Sequence, residues 1–178
     1  MDFLKSLQTF TNSVVKQNFN ASIYTGYKTG GKVKYFIIID RIKDLKDVLE
    51  FCRTYSVNYK IIGNGTNILL SDNGFDGAVI KTFNLNKIII KKDIVSVEAG
   101  AKLNDFIRLL ALNGYAEYTA LSGIPASIGG AIAMNAGAFG KSISDHLIDV
   151  SYLTCDGLKV IEAKDCEFGY RKSKFLHK

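Results

Sequence analysis

The chain is short of the residues that staple or metallate small proteins. It has three cysteines, two histidines and one proline in 178 residues. Cys52, Cys155 and Cys166 are an odd set without Cys-x-x-Cys spacing, which argues against a disulfide scaffold and against a zinc site. No histidine occurs in residues 1–145, and neither His146 nor His177 has a visible catalytic partner. Asp145 and Asp149, beside His146, read as a solvated strand entry. No Ser/His/Asp set and no metal-ligand spacing is present. No N-terminal apolar run resembles a signal peptide, and no stretch reaches the roughly 18 apolar residues of a membrane span. The expectation is a cytoplasmic protein without membrane insertion. Internal repeats and low-complexity segments are also missing.

What is present is a hydrophobic content of 47%, enough for a core, and a basic balance of 23 Lys+Arg against 17 Asp+Glu, net +6. The lysines are dispersed and form no basic arm. Nucleic acid is therefore not expected, while nucleotides and phosphates suit the charge.

Along the chain, Phe3, Leu4, Leu7, Phe10 and Val14 have helical spacing and predict a helix over 2–17. Val33–Ile39 reads as a buried strand. Asp40 is placed to cap a helix whose apolar face runs through Ile42, Leu45, Val48, Leu49, Cys52 and Tyr55. Tyr59–Ile62 predicts a strand that runs into a glycine turn, with Ile68–Leu70 strand-like beyond it. Gly74 and Gly77 bracket a turn before the strand 78–82. Two paired strands, 87–90 and 94–98, precede a helix through Leu103, Phe106, Ile107, Leu110 and Ala111, closed by Gly114. Asp156-Gly157 signals a hairpin between 147–154 and 159–163. Helices and strands alternate only in the first half, so the fold is expected to be α+β with a boundary near residue 83.

Three stretches can carry chemistry. Gly63-Asn64-Gly65-Thr66-Asn67 leaves a strand as a Gly-x-Gly turn, a backbone form that can cradle an anion. It lacks the third glycine of a dinucleotide fingerprint and the Gly-Lys-[Ser/Thr] of a P-loop. Leu121–Gly140 holds the only proline, Pro125, together with the adjacent Gly129 and Gly130, and permits close backbone approach. A short helix capped by Ser127 is expected there, with free N–H groups for a phosphate. Asn135 would offer its amide to a flat heterocycle. In the tail, Tyr170-Arg171 places a bidentate guanidinium suited to carboxylate or phosphate.

In this order the motifs resemble the UDP-N-acetylenolpyruvoylglucosamine reductase family. The residues that carry the resemblance are Thr29-Gly30-Gly31, Gly63 to Leu69, Val97-Glu98-Ala99-Gly100, Gly123-Ile124-Pro125 through Gly129-Gly130, Met134-Asn135-Ala136-Gly137-Ala138 and Phe168 to Ser173. It runs from about residue 25 to the last residue. Three departures are mild: Ala126 stands where glycine is usual, Phe139 where tyrosine is common, and Thr66 where serine is common; the serious departure is length, since family members carry a further C-terminal domain.

The resemblance implies an α+β, two-lobed FAD-binding fold of the vanillyl-alcohol oxidase (PCMH) type. Residues 1–83 would form the first FAD-binding lobe and 84–178 the second, left incomplete. Ile62, Gly63, Asn64, Gly65, Thr66 and Asn67 would bind the pyrophosphate. Gly123, Ile124, Pro125, Ser127, Gly129, Gly130, Asn135 and Gly137 would lie along the flavin and ribityl chain. NADPH would be the reductant and an enolpyruvyl UDP-sugar the substrate. Arg171 would grip its carboxylate and stabilise the developing enolate, and Tyr170 would orient Arg171 or touch the substrate. A proton-donating serine and a glutamate would follow residue 178, in a substrate domain; Ser173 is not a substitute. Two other readings stay open: a non-catalytic FAD-binding module, and a flavin oxidase on the same scaffold. Oligomeric state is not legible.

Overall fold

Runs of β-branched and aromatic residues make the first sheet, and an amphipathic helix covers one of its faces. The computed structural model describes Leu7, Thr11 and residues 13–176. The chain divides into two compact units, 1–86 and 87–178.

In unit 1, β1 (Val14–Asn20) pairs antiparallel with β2 (Lys32–Ile38), which pairs parallel with β4 (Phe75–Lys81). Strand β3 (Tyr59–Ile62) lies parallel to β4 on its other side, so the order is β1-β2-β4-β3. Helix α1 (Ile42–Thr54) lays Val48 and Cys52 against Tyr35, Ile37, Ala78 and Ile80. The other face of the sheet buries Val33, Phe36, Ile62 and Val79 with Ala21. Tyr24 stacks on Phe36 there, with ring centroids 4.7 Å apart.

In unit 2, β5 (Ile88–Lys91) and β6 (Ile94–Val97) form one hairpin, and β9 (Asp149–Thr154) and β10 (Gly157–Glu162) another. Short strands β7 (Gly137–Ala138) and β8 (Lys141–Ser142) pair between them. The core gathers Leu103, Phe106, Ile107 and Leu110 of α2 (Leu103–Leu112) with Leu121, Ile143 and two residues, Ile128 and Ala131, of α3 (Ile128–Ala133). Among the described residues no helix is long and apolar enough to cross a membrane, and the three cysteines are unpaired.

Several sequence expectations are corrected. The helix predicted over 2–17 fails at its end, because Val14 to Gln17 are paired in β1. The rest of that span lies mostly outside the described residues, although Leu7 is helical. β-Branched Val14 and Val15 take the sheet edge in preference to the apolar helical period. The cap of α1 is Arg41, not Asp40, and makes no side-chain cap bond; Arg41 instead grips the buried Asp44 through a bidentate pair at 2.9 and 3.0 Å. Asp40 accepts from Asn84. Ile68–Leu70 is not a strand. Gly77 sits inside β4, with its missing Cβ leaving room for the Asn58 carbonyl. The residues between β9 and β10 are Cys155-Asp156, and Gly157 with φ +119° already belongs to β10.

Candidate functional site

Strands β2, β3 and β4 run parallel, and the Gly63–Asn67 turn leaves the carboxyl end of β3. Such ends are where open α/β sheets accept ligands. The turn is held tightly. Gly65 has φ +75°, and a Cβ there would fall 2.2 Å from the Tyr24 carbonyl oxygen. Gly26 N–H donates to Gly65 O at 2.8 Å, and Gly26 itself packs on the Thr66 backbone. The Ile62 carbonyl accepts from Thr82 N–H at 3.2 Å, and the Gly63 carbonyl from Lys81 Nζ at 2.7 Å. Three carbonyl oxygens of 62–65 are thus engaged from the protein side. What the turn can present to a ligand is donor-rich backbone, the condition for an anion cradle. Ile62 contributes no side chain to it, since that side chain is buried in the core. Beside the turn lies a cavity of about 370 Å³, with Tyr24, Thr25, Gly26, Asn64, Lys81 and Asn84 in its wall.

Lys81 was not legible as a site residue. At the end of an apolar strand it reads as a surface lysine, yet it is only 5% exposed. Burial lowers its pKa from the usual lysine value. Its ammonium also sits 5.3 Å from the Tyr24 ring centroid, within cation–π range.

In unit 2 the expected short helix exists as α3, and Ser127 caps it by accepting from Gly130 N–H at 3.3 Å. The expectation of free helix-start N–H groups is overturned. Ile128 N–H donates to Ala101 O at 2.8 Å, Gly129 N–H to Ala99 O at 2.7 Å and Ala131 N–H to Ser127 O at 2.8 Å. Gly129 is small because the helix start rides on Ala99; a Cβ there would meet Ala99 Cβ at 2.9 Å. The bare backbone therefore serves close packing at that point. Gly123, φ +88°, has its N–H accepted by Asn104 Oδ1 at 3.0 Å, and a Cβ there would meet nothing within 4 Å. Gly123, Pro125 and Gly130 are exposed, with Ile124 half-buried.

The tail closes onto the segment after α3. Asn135 Nδ2 donates to Gly169 O at 3.0 Å, Arg171 Nη2 to Gly137 O at 3.2 Å, and Ser173 Oγ to Ala133 O at 2.7 Å. Gly169 and Lys172 exchange backbone hydrogen bonds, so Tyr170 and Arg171 form the tip of a tight turn. Arg171 has φ +52° and Asn135 φ +41°, conformations that non-glycine residues rarely adopt. Tyr170 is 94% exposed, and the Arg171 guanidinium lies 5.7 Å from its ring centroid. Asn135 spends its NH₂ on Gly169, so it does not have the whole amide to offer. Its Oδ1 is buried and has no hydrogen-bond partner. Two motifs 34 residues apart are thus joined, a juxtaposition that spacing alone does not reveal.

The remaining candidates resolve as structural. His146 packs edge-on against Tyr118 at 5.6 Å, and Asp145 closes a capping box with Ser142, which lowers its pKa. His177 lies outside the described residues. No cluster of metal-ligating side chains occurs among the described residues.

The chain is 39% identical over 166 residues to UDP-N-acetylenolpyruvoylglucosamine reductase of Carboxydothermus hydrogenoformans, covering 92% of this chain and 55% of that protein. It is 34% identical over 155 residues to the Clostridium kluyveri enzyme of the same name, covering 86% of this chain and 51% of that protein. The chain spans about half the length of the curated relatives it matches. Among solved structures it is similar to UDP-N-acetylenolpyruvylglucosamine reductase from Thermus caldophilus, with a TM-score of 0.71 at 28% identity, covering 92% of this chain and 57% of that one. The α+β fold is that of FAD-binding proteins of the vanillyl-alcohol oxidase type. A family model described as FAD binding domain matches residues 33–162, most of the sheet in unit 1 and most of unit 2, and the chain belongs to that family.

Proposed function

We propose that this chain is the FAD-holding portion of a UDP-N-acetylenolpyruvoylglucosamine reductase, which uses NADPH to reduce an enolpyruvyl UDP-sugar in the cytoplasm. One observation carries the reading: Arg171, at the tip of its turn, is hydrogen-bonded to the Gly137 carbonyl beside Asn135. The similarity to reductases of that name over most of the chain supports it.

The residues present fit FAD. The 63–67 turn, with its Gly63 and Gly65 carbonyls tied back and a lysine alongside, suits a diphosphate. The orphaned Asn135 Oδ1 is an acceptor awaiting a donor, and a flavin ring carries one. Ile62, Gly63, Asn64, Gly65, Thr66 and Asn67 would hold the phosphates through backbone and the side chains of 64, 66 and 67. Gly123, Ile124, Pro125, Ser127, Gly129, Gly130, Asn135 and Gly137 belong to the flavin end of the assignment. For Ser127, Gly129 and Gly130 that contribution is the shape of the backbone they set, since their hydrogen bonds are spent within the protein.

FAD held by these residues would supply the two-electron chemistry between NADPH and the enolpyruvyl double bond. Arg171 opposes the substrate carboxylate, where negative charge grows as the alkene is reduced. A fixed guanidinium is effective there because it needs no reorganisation. The bond to Gly137 O holds one of its nitrogens and sets its direction. Tyr170, almost fully exposed beside it, would touch the sugar or shield the guanidinium. The proton that completes the reduction does not come from Ser173, whose buried hydroxyl donates to Ala133 O.

The purified chain should take up added FAD and release it on denaturation; a protein that stays colourless with excess FAD overturns the reading. Joined to the remaining length of such a reductase, Arg171→Ala should slow enolpyruvyl-sugar-dependent turnover by about a hundredfold or more. Its flavin content should not change. An unaltered rate removes the role given to Arg171.

A further inference from the structure

Lys81 is a buried cation with no ion-pair partner among the described residues. Strand β4 is buried continuously from Gly77 to Lys81, a position where an apolar residue would pack at no electrostatic cost. Placing an ammonium there is unfavourable unless it is compensated. The described ion pairs of this protein involve Lys34, Arg41, Lys159 and Lys164, and none includes Lys81. Among the described residues the compensation is neutral: the Gly63 carbonyl at 2.7 Å and the face of Tyr24. An ammonium has three N–H donors, and Gly63 O takes one.

Its location is specific. Lys81 stands opposite Ile62 in the β3–β4 ladder, one residue before the glycine turn begins. It also lines the cavity beside that turn together with Asn64. By cancelling the Gly63 carbonyl, the ammonium removes the negative end of the nearest backbone dipole and leaves net positive charge at the mouth of the turn.

We propose that Lys81 is the counter-cation of a phosphate group held at the Gly63–Asn67 turn, and that this group belongs to the diphosphate of FAD. The assignment rests on the reading of the chain as FAD-holding. It makes Lys81 a binding residue whose place in the sheet is maintained at the expense of the empty protein's stability. A cation kept only to clamp Gly63 O would have the opposite signature, since its removal would loosen the turn and destabilise the fold.

The test compares wild type, Lys81→Met and Lys81→Arg, each first stripped of flavin. FAD dissociation constants are measured at low and high salt, and urea midpoints are measured without FAD. Lys81→Met should raise the FAD dissociation constant at least tenfold and flatten its salt dependence. Its urea midpoint should equal or exceed that of wild type, because a buried cation has been replaced by an apolar side chain of similar length. Lys81→Arg should recover most of the affinity. The proposal is overturned if Lys81→Met binds FAD as tightly as wild type, or if it loses affinity and urea resistance together with unchanged salt dependence. Wild type that binds FAD beside an equally competent Lys81→Met removes only the role of the lysine. Wild type that binds no FAD removes the FAD reading and this proposal with it.

Discussion

Gly65 and Gly114 separate two reasons for glycine. Both have positive φ, +75° and +86°, but a Cβ on Gly65 would run into the Tyr24 carbonyl at 2.2 Å while one on Gly114 meets nothing within 4 Å. Gly114→Ala should therefore cost only the left-handed penalty, about 1 kcal/mol. Gly65→Ala adds a backbone collision and should cost about 2 kcal/mol or more, with loss of FAD uptake. Urea denaturation of the two variants side by side checks this, and equal costs would refute the collision argument. At this scale the sequence is informative wherever the residue type is itself unusual. The Gly-x-Gly turn, Asn135 and the Tyr-Arg pair are visible because few other roles demand them. Lys81 is not, because a lysine's identity says nothing of its burial; strand register and the fold of Tyr24 over the sheet decide that. The unpaired state of Asn135 Oδ1 is equally invisible, since it depends on Gly169 taking the other half of the amide.

Helix α3 shows how an element can be located correctly and its purpose misread. Glycine pairs followed by an apolar run indicate a helix start, and Ser127 does cap it. Yet the N–H groups that make helix starts attractive to phosphate are taken by Ala99, Ala101 and Ser127, partners brought in by the chain crossing from 99 to 127. Ser127 is 2% exposed, so its hydroxyl cannot be replaced by water. Ser127→Ala should destabilise the protein by about 1 kcal/mol and speed amide exchange at Gly130; Ser127→Asp should restore much of both. Denaturation midpoints with residue-resolved exchange would reveal a mistaken cap if neither changes. The strand–helix error at Val14 has a similar origin. An apolar period shared by helix and edge strand is settled by the availability of β2 as a partner, which is a tertiary fact.

Across the whole molecule, buried neutral acids tie stability to pH, Cys52 in unit 1 and Tyr118 in unit 2 among them. Burial pushes the Cys52 thiol from 9.0 up to about 11 and the Tyr118 phenol from 10.0 up to about 12. Both folded-state values lie above the unfolded ones, so the stabilisation is fully present below pH 9 and is lost as pH rises through 11 and 12. Two pKa units correspond to about 2–3 kcal/mol for each group. Stability should hold to about pH 9 and then fall, and Cys52→Ala should fall less steeply between pH 9 and 11. Chemical denaturation across that range measures the slopes, and parallel slopes would contradict the assignment to Cys52. Whole-molecule class was legible from the sequence: helix–strand alternation confined to the first half does give α+β, and collinear weak motifs do give the FAD-binding family.

The three hydrogen bonds that fasten the tail also bear on when the Arg171 turn matures. They span 34 to 40 residues, whereas the hairpins β5–β6 and β9–β10 close over a few residues each. Long closures carry more chain entropy and form after local ones. During refolding, hairpins should therefore acquire protection first, and the Arg171 turn should be among the last parts of unit 2 to reach its native arrangement.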